Sequence, residues 1–179
     1  VAYECDALTA HRHPPDLVAL PTSVEQVQQI VRICRRHAVP VVARGSGTGL
    51  SGGALPVAGG LLLVLSRLDQ ILEVDPRRGL ARVQPGVTNL AVSDAAATYG
   101  MYYAPDPSSQ VACSVGGNVA ENSGGGHCLK YGLTVHNVRR VRGVLITGEV
   151  VEFGGDSLDS AGYDLLALVH GSEGLLAVT

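Results

Sequence analysis

Apolar residues recur along this chain in two rhythms. At positions 24, 27, 30, 31 and 34 they are Val24, Val27, Ile30, Val31 and Cys34, the three-and-four spacing that gathers side chains on one stripe of a helix. Ser23 and Gln26 form an N-terminal capping box for that helix, which is predicted to run to about His37. Around it lie short runs rich in Leu and Val, at 17–21, 39–43 and 60–65, with strand length and composition. Strand, helix, strand, loop, strand predicts a small α/β lobe over about residues 15–67.

The rhythm changes after residue 70. Residues 71–75 and 81–86 flank a turn at 76–79 and read as a hairpin, and the alanine-rich stretch 90–99 reads as a helix. Residues 135–144 and 145–153 read as strands with a turn at Thr147-Gly148, residues 163–169 as a short amphipathic helix, and residues 174–179 as a last strand. The whole is predicted to be α+β, a small α/β lobe followed by a larger β-rich lobe with flanking helices over about 68–179.

Composition narrows what such a fold does. The 179 residues are 46% hydrophobic and 16% charged, which suits a folded globular chain and excludes intrinsic disorder. A net charge of -3 argues against nucleic acid as a partner, because phosphate backbones recruit excess Lys and Arg. The one basic cluster, Arg139, Arg140 and Arg142, reads as a solvated strand end. Cys5, Cys34, Cys113 and Cys128 lack C-x-x-C spacing, and there is no apolar run of ~20 residues. Reduced thiols and a cytoplasmic setting are expected. The chain starts at Val and stops within an apparent strand, so an excerpt of a longer protein is expected.

Candidate chemistry concentrates in two glycine-rich stretches. In the first, Arg44, Gly45, Ser46, Gly47, Thr48, Gly49 and Leu50 lead into Ser51, Gly52 and Gly53 directly after a predicted strand. Glycine admits positive φ and close approach, so successive N–H groups can converge on an anion. A P-loop is excluded, since no Lys-Ser/Thr pair follows the last glycine. Gly47-Thr48-Gly49-Leu50-Ser51-Gly52 spells the dinucleotide fingerprint, with Asp69 near the place of a ribose-binding acid, but that fingerprint must open a helix. Gly52, Gly53, Pro56, Gly59 and Gly60 forbid one. The loop is therefore expected to join strand to strand and to hold a phosphate-bearing cofactor through its own amides; a plain turn is the alternative.

The second stretch comprises residues 105–109 and 115–126, dense in Gly, Ser and Asn. Glycines admit the plane of a heteroaromatic ring, and hydroxyls and amides satisfy its nitrogens and carbonyls. A long surface loop of Asx and Ser turns is the alternative. The histidines single out no centre. His11 and His13 are too few for a closed metal site, so no metal is expected. His37 suits a helix C-terminus, and His127 and His136 bracket a turn at 130–132. No catalytic residue emerges.

Taken together, residues 44–53, 105–109, 116–122 and 130–134 resemble the FAD-binding domain of the vanillyl-alcohol oxidase and p-cresol methylhydroxylase family. Within it the chain is similar to the FAD-linked subunits of bacterial glycolate oxidases, relatives of D-lactate and D-2-hydroxyglutarate dehydrogenases. The resemblance covers the whole chain and implies a two-lobed FAD-binding domain over 1–179. It also implies oxidation of a small 2-hydroxy acid by hydride transfer, and partner subunits that include an iron-sulfur subunit at the inner membrane face.

For the site, the resemblance implies that residues 44–50 wrap the pyrophosphate. Pro105, Asp106, Ser108 and Ser109, with Gly116, Gly117, Asn118, Asn122 and Gly124, would line the flavin and ribityl chain. Glu173, Gly174 and Val178 would meet the adenine end, though Glu173 alone also reads as a helix-end charge and Lys130 as a surface cation. Relatives that attach FAD covalently often carry histidine where Thr48 stands, so noncovalent FAD is expected. The substrate or cap domain, with its base and carboxylate clamp, is expected beyond residue 179 and the fragment alone is expected to be inactive. A catalytically incomplete FAD- or nucleotide-binding module, or a D-2-hydroxyglutarate dehydrogenase-like enzyme, is the alternative function.

Overall fold

The structure, a computed structural model, describes residues 3–156 and 162–179. Its first unit is a parallel three-stranded sheet of β1 (Leu17–Ala19), β2 (Val41–Arg44) and β3 (Leu61–Val64), ordered β1-β3-β2. Leu62 in the central strand pairs with both Val18 and Val42. β3 is covered on both faces, which explains its unbroken Leu-Leu-Leu-Val run.

Helix α1 (Val24–Arg36) lies between β1 and β2 in the chain and buries Val27, Val31 and Cys34. Ser23 caps it, its hydroxyl accepting from the Gln26 backbone N–H at 3.3 Å. The Gln26 side chain closes the other half of the motif on the Thr22 N–H at 2.7 Å, one residue before the expected partner. Val27 and Val31 pack with Leu63, Leu65, Leu68 and Val144, so this apolar cluster draws on both sides of residue 67.

Parallel neighbours are normally joined by a helical crossover. Here β2 and β3 are joined by residues 45–60 without one, as the glycines and Pro56 dictate.

Next come the antiparallel hairpin β4 (Ile71–Asp75) and β5 (Leu80–Val83), and helix α2 (Asn89–Ala97) capped by Thr88. The hairpin turn is held by the Asp75 carboxylate, which accepts from the N–H groups of Arg77 and Arg78 at 3.0 and 3.2 Å.

Residues 115–126 were expected as loop, and half of that stretch is helix α3 (Val115–Glu121). Ser114 caps its start, accepting from the Gly117 N–H at 3.3 Å, and Asn122 ends it in the left-handed region at φ 50°. Two glycines in the first turn weigh against a helix by about 1 kcal/mol each. The two caps and the burial of Val119 outweigh them.

Short helices α4 (Cys128–Tyr131) and α5 (Thr134–Asn137) follow. α5 occupies the first part of the expected 135–144 strand, because Thr134 is fully buried with its hydroxyl donating to the Ser123 carbonyl at 2.7 Å. The strand itself, β6 (Arg140–Val144), pairs antiparallel with β7 (Val150–Gly154) across the Thr147-Gly148 turn. Gln28 and Arg32 of α1 both donate to the Gly148 carbonyl, at 2.7 and 2.8 Å, and pin that turn.

Helix α6 (Leu165–Val169) is capped by Asp164. Val169, Val119, Val141 and Ala177 form a second apolar cluster. The expected strand at 174–179 is reduced to one bridge, between Val178 and Val144.

Candidate functional site

The amino-terminal segment fastens the first glycine-rich loop. Asp6 is buried, and its carboxylate accepts from the Gly52 N–H at 2.9 Å and the Leu8 N–H at 3.0 Å. The Ala7 N–H donates to the Gly49 carbonyl at 3.2 Å. Gly47 at φ 73° and Gly52 at φ 83° make the reversals that only glycine adopts without strain. Among the described residues, the backbone N–H groups of Ser46, Gly47, Thr48 and Gly49 reach no acceptor. Arg44 is buried at the loop's start, with Nη1 donating to the Ala54 carbonyl at 3.0 Å and Nε without a partner.

A cleft of about 310 Å³ opens between this loop and α3. Its lining includes Gly45, Ser46, Gly47, Thr48, Gly49 and Leu50 from the loop, Ser109, Gly117 and Asn118 from the second stretch, and Glu173. A smaller adjoining cleft is lined by Arg44, Gly116 and Gly174, and shares Gly45, Gly117 and Glu173 with the first. Three separated segments of sequence thus meet at one place.

The other sequence-selected residues line neither cleft. Pro105 is buried and offers its carbonyl to the Asn89 side chain at 3.1 Å; the same Asn89 amide donates to Asn118 Oδ1 at 3.0 Å. Asp106 faces His127. Ser108 is exposed. Asn122 ends α3 and accepts from the Val135 N–H at 3.0 Å. Gly124 lies against Cys128 and Leu133, and Val178 makes the bridge to Val144. His136 is exposed and bends back on its own turn, its Nδ1 accepting from the Leu133 N–H at 3.0 Å.

Sequence reasoning missed Asp6, Cys113 and Ser114, and gave no role to Ser51, Glu121 and Ser123 within the two stretches; all six line the larger cleft. Serine is a favoured N-cap residue, so Ser114 is one local signal for α3, set against Gly116 and Gly117. Nothing in the sequence marks Asp6. Glu121 brings a carboxylate oxygen near Gly49, and burial there together with the Glu173 carboxylate pushes its carboxyl above the ordinary range. Arg44 is pulled below the usual guanidinium range by burial and stays a cation. Among the described residues no three His, Cys, Asp or Glu side chains gather as metal ligands.

Unpaired amides on a bend of glycines, a buried guanidinium with an open N–H and an adjoining recess suit a phosphate-bearing group. A sequence profile described as an FAD binding domain matches residues 15–154. The chain belongs to this FAD-binding family. FAD is its cofactor, and the fold is the α+β FAD-binding type.

Over its whole length the domain is 60% identical to glycolate oxidase subunit GlcD of Escherichia coli, and it is 44% identical over 99% of its length to GlcD of Bacillus subtilis. D-lactate dehydrogenase of Anaerostipes hadrus is 40% identical over 92% of the chain. The chain spans 36%, 38% and 34% of the lengths of these curated relatives.

Among solved structures, alkyldihydroxyacetonephosphate synthase superposes with a TM-score of 0.81 at 27% identity, covering 93% of this chain and 30% of that one. 6-Hydroxy-D-nicotine oxidase from Arthrobacter nicotinovorans also gives 0.81, at 24% identity over 97% of this chain and 36% of its own; it bears on the fold alone. No helix among the described residues is long and apolar enough to cross a membrane.

Proposed function

We propose that this chain is the FAD-binding part of a flavoprotein that oxidises a small 2-hydroxy acid of the glycolate or D-lactate type. The observation that carries the reading is 60% identity, along the whole chain, to glycolate oxidase subunit GlcD. The loop from Arg44 to Leu50 would hold the pyrophosphate through its free amides and Arg44. Ser109, Gly116, Gly117 and Asn118 would face the flavin and ribityl chain and Glu173 and Gly174 the adenine end, while Pro105, Asp106, Ser108, Asn122, Gly124 and Val178, which line neither cleft, would complete the site from outside that lining. When bound, the flavin supplies the two-electron chemistry by accepting a hydride from the hydroxyl-bearing carbon.

In this reading lobe one is residues 15–67, lobe two residues 68–179, and a further domain covers the substrate. The parent protein works in the cytoplasm with partner subunits, an iron-sulfur subunit among them, at the inner membrane face. FAD is held noncovalently, because Thr48 offers no ring nitrogen to alkylate.

Anaerobic mixing of the FAD-loaded full-length protein with glycolate, D-lactate and D-2-hydroxyglutarate tests the reading. Glycolate or D-lactate is expected to bleach the flavin band. Bleaching by D-2-hydroxyglutarate alone would move the substrate to that branch of the relatives, which includes a D-2-hydroxyglutarate dehydrogenase 41% identical over 165 residues. Bleaching by none would overturn it. Acid precipitation is expected to leave all yellow colour in the supernatant; colour in the pellet would refute noncovalent binding.

A further inference from the structure

A second group of ionisable side chains lies beyond both clefts. One carboxylate oxygen of Asp106 faces Nδ1 of His127 at 2.5 Å, and the other accepts from the His127 backbone N–H at 3.2 Å. A carboxylate on Nδ1 fixes the ring proton there and leaves Nε2 as the acceptor nitrogen. Tyr131 stands beside this imidazole, ring centroids 6.3 Å apart. The Tyr102 hydroxyl donates to the Tyr131 hydroxyl at 2.8 Å, and the Lys130 ammonium sits 4.8 Å from the Tyr131 ring centroid.

This cluster is held in place by backbone contact. Gly125 lies so close on the Asp106 carbonyl that any Cβ would overlap it, which lays residues 123–127 against residue 106. It is also near the cofactor cleft along the chain, since Ser123 lines that cleft four residues before His127 and Ser109 lines it three residues after Asp106. Four residues of chain reach at most about 14 Å.

The groups left over are complementary to one kind of ligand. The Asp106 carboxylate is engaged by His127. The cluster is open to solvent, with His127 and Tyr102 both exposed. Among the described residues, the Lys130 ammonium engages the Tyr131 hydroxyl and has no carboxylate partner, the Tyr131 O–H has no acceptor and Nε2 of His127 has no donor. A cation and an O–H donor match a carboxylate, and a ring nitrogen beside them matches an alcohol on the adjacent carbon.

We propose that Asp106, His127, Lys130, Tyr131 and Tyr102 form the binding subsite for a small 2-hydroxycarboxylate. Lys130 and the Tyr131 hydroxyl take the carboxylate, and Nε2 of His127 accepts the hydroxyl hydrogen. Tyr102 is a positioning residue: by donating to Tyr131 it turns that hydroxyl's hydrogen outward. The same donation, with Lys130 adjacent, lowers the Tyr131 pKa and strengthens it as a donor. The subsite rests on the reading above that the FAD of this chain faces a 2-hydroxy acid.

The test uses 2-hydroxyisobutyrate, a 2-hydroxy acid whose carbinol carbon bears no hydrogen to transfer, and isobutyrate, which lacks the hydroxyl. Each is titrated calorimetrically into the full-length protein, with FAD retention read separately from the visible band. Wild type is expected to prefer the hydroxy acid. Lys130→Met should weaken both ligands at least tenfold, Lys130→Arg should restore most of that, and His127→Phe should erase the preference. Tyr131→Phe, which keeps ring and cation, should weaken both severalfold. FAD affinity should stay within about twofold throughout. No binding by wild type, or unchanged binding in Lys130→Met and Tyr131→Phe, would overturn the subsite whatever FAD does. Absence of FAD from a wild type that still binds the hydroxy acid in this pattern would instead count against the cofactor reading and leave the subsite standing.

Discussion

The two glycine-rich stretches have similar composition and use their glycines for different purposes. In the loop after β2, Gly47 and Gly52 take positive φ and reverse the chain, so the gain is conformational. In residues 114–126 no glycine has positive φ. There Gly116 rests on Pro85, Gly124 on Cys128 and Gly125 on Asp106, so the gain is space. The first stretch presents amides without a helix, and the second is largely a helix whose backbone can be approached closely. A cleft built by opposing the two receives hydrogen-bond donors from one wall and room from the other.

Gly47→Val strikes the first stretch where its use of glycine is conformational. A β-branched residue at φ 73° carries strain of about 1–3 kcal/mol, and its Cβ would run into the Arg44 guanidinium. Both the amide bend and the buried cation are disturbed at the point assigned to the pyrophosphate. FAD affinity is expected to fall at least ~30-fold, about 2 kcal/mol, with helical circular dichroism unchanged. An FAD titration superimposable on wild type would remove the loop from the site.

The counterpart in the second stretch is Gly116→Ala, whose Cβ would sit 2.6 Å from the Pro85 Cβ and 3.2 Å from its carbonyl oxygen. Alanine favours the helix, yet overpacking of this kind costs about 1–3 kcal/mol, so melting should fall by about 2–10 °C. The added Cβ is aimed at Pro85, so the Gly116 backbone that would face the flavin stays in place and affinity for FAD should change less than about threefold. Greater loss of FAD affinity than of stability would show that the missing side chain at Gly116 makes room for the ligand and not for the packing.

The contrast also explains what the sequence could reveal. The stripe Val27, Val31 and Cys34, the 71–83 hairpin and the helix-free loop after Arg44 were legible because each follows from local spacing or from Gly and Pro chemistry. Helix α3 was hidden: Gly116 and Gly117 argue locally for a loop, and the winning terms are the Ser114 cap, the left-handed Asn122 and the burial of Val119. For α5, the decisive contact is the Thr134 hydroxyl to Ser123. In the site, the Gly45 to Leu50 lining was legible and Asp6 was not, since its bond to Gly52 spans 46 residues. The Asp106–His127 pair, 21 residues apart, was equally out of reach of pattern reading.

A smaller effect is expected at the wall that joins the two stretches. Glu121 ends α3, yet its carboxylate reaches the first loop, with Oε2 accepting from the Ser51 hydroxyl at 3.4 Å and the carboxylates of Glu173 and Asp6 also facing it. Burial of that end and repulsion from Glu173 raise its pKa, so between the unfolded and folded values the folded chain binds more protons than the unfolded one. Stability is then fully present below the ordinary carboxylate range and declines as pH rises through the raised folded value. Glu121→Gln removes this loss. The variant should melt above wild type at pH 7, by no more than about 2 °C because the residue is largely exposed, and the gap should close near pH 4. It should also bind FAD slightly more tightly at pH 7, where one negative charge fewer faces the phosphates. A variant that melts lower at pH 7, or a gap that persists at pH 4, would mean that the Ser51 bond outweighs the repulsion, and that Glu121 fastens the loop without opposing the anion.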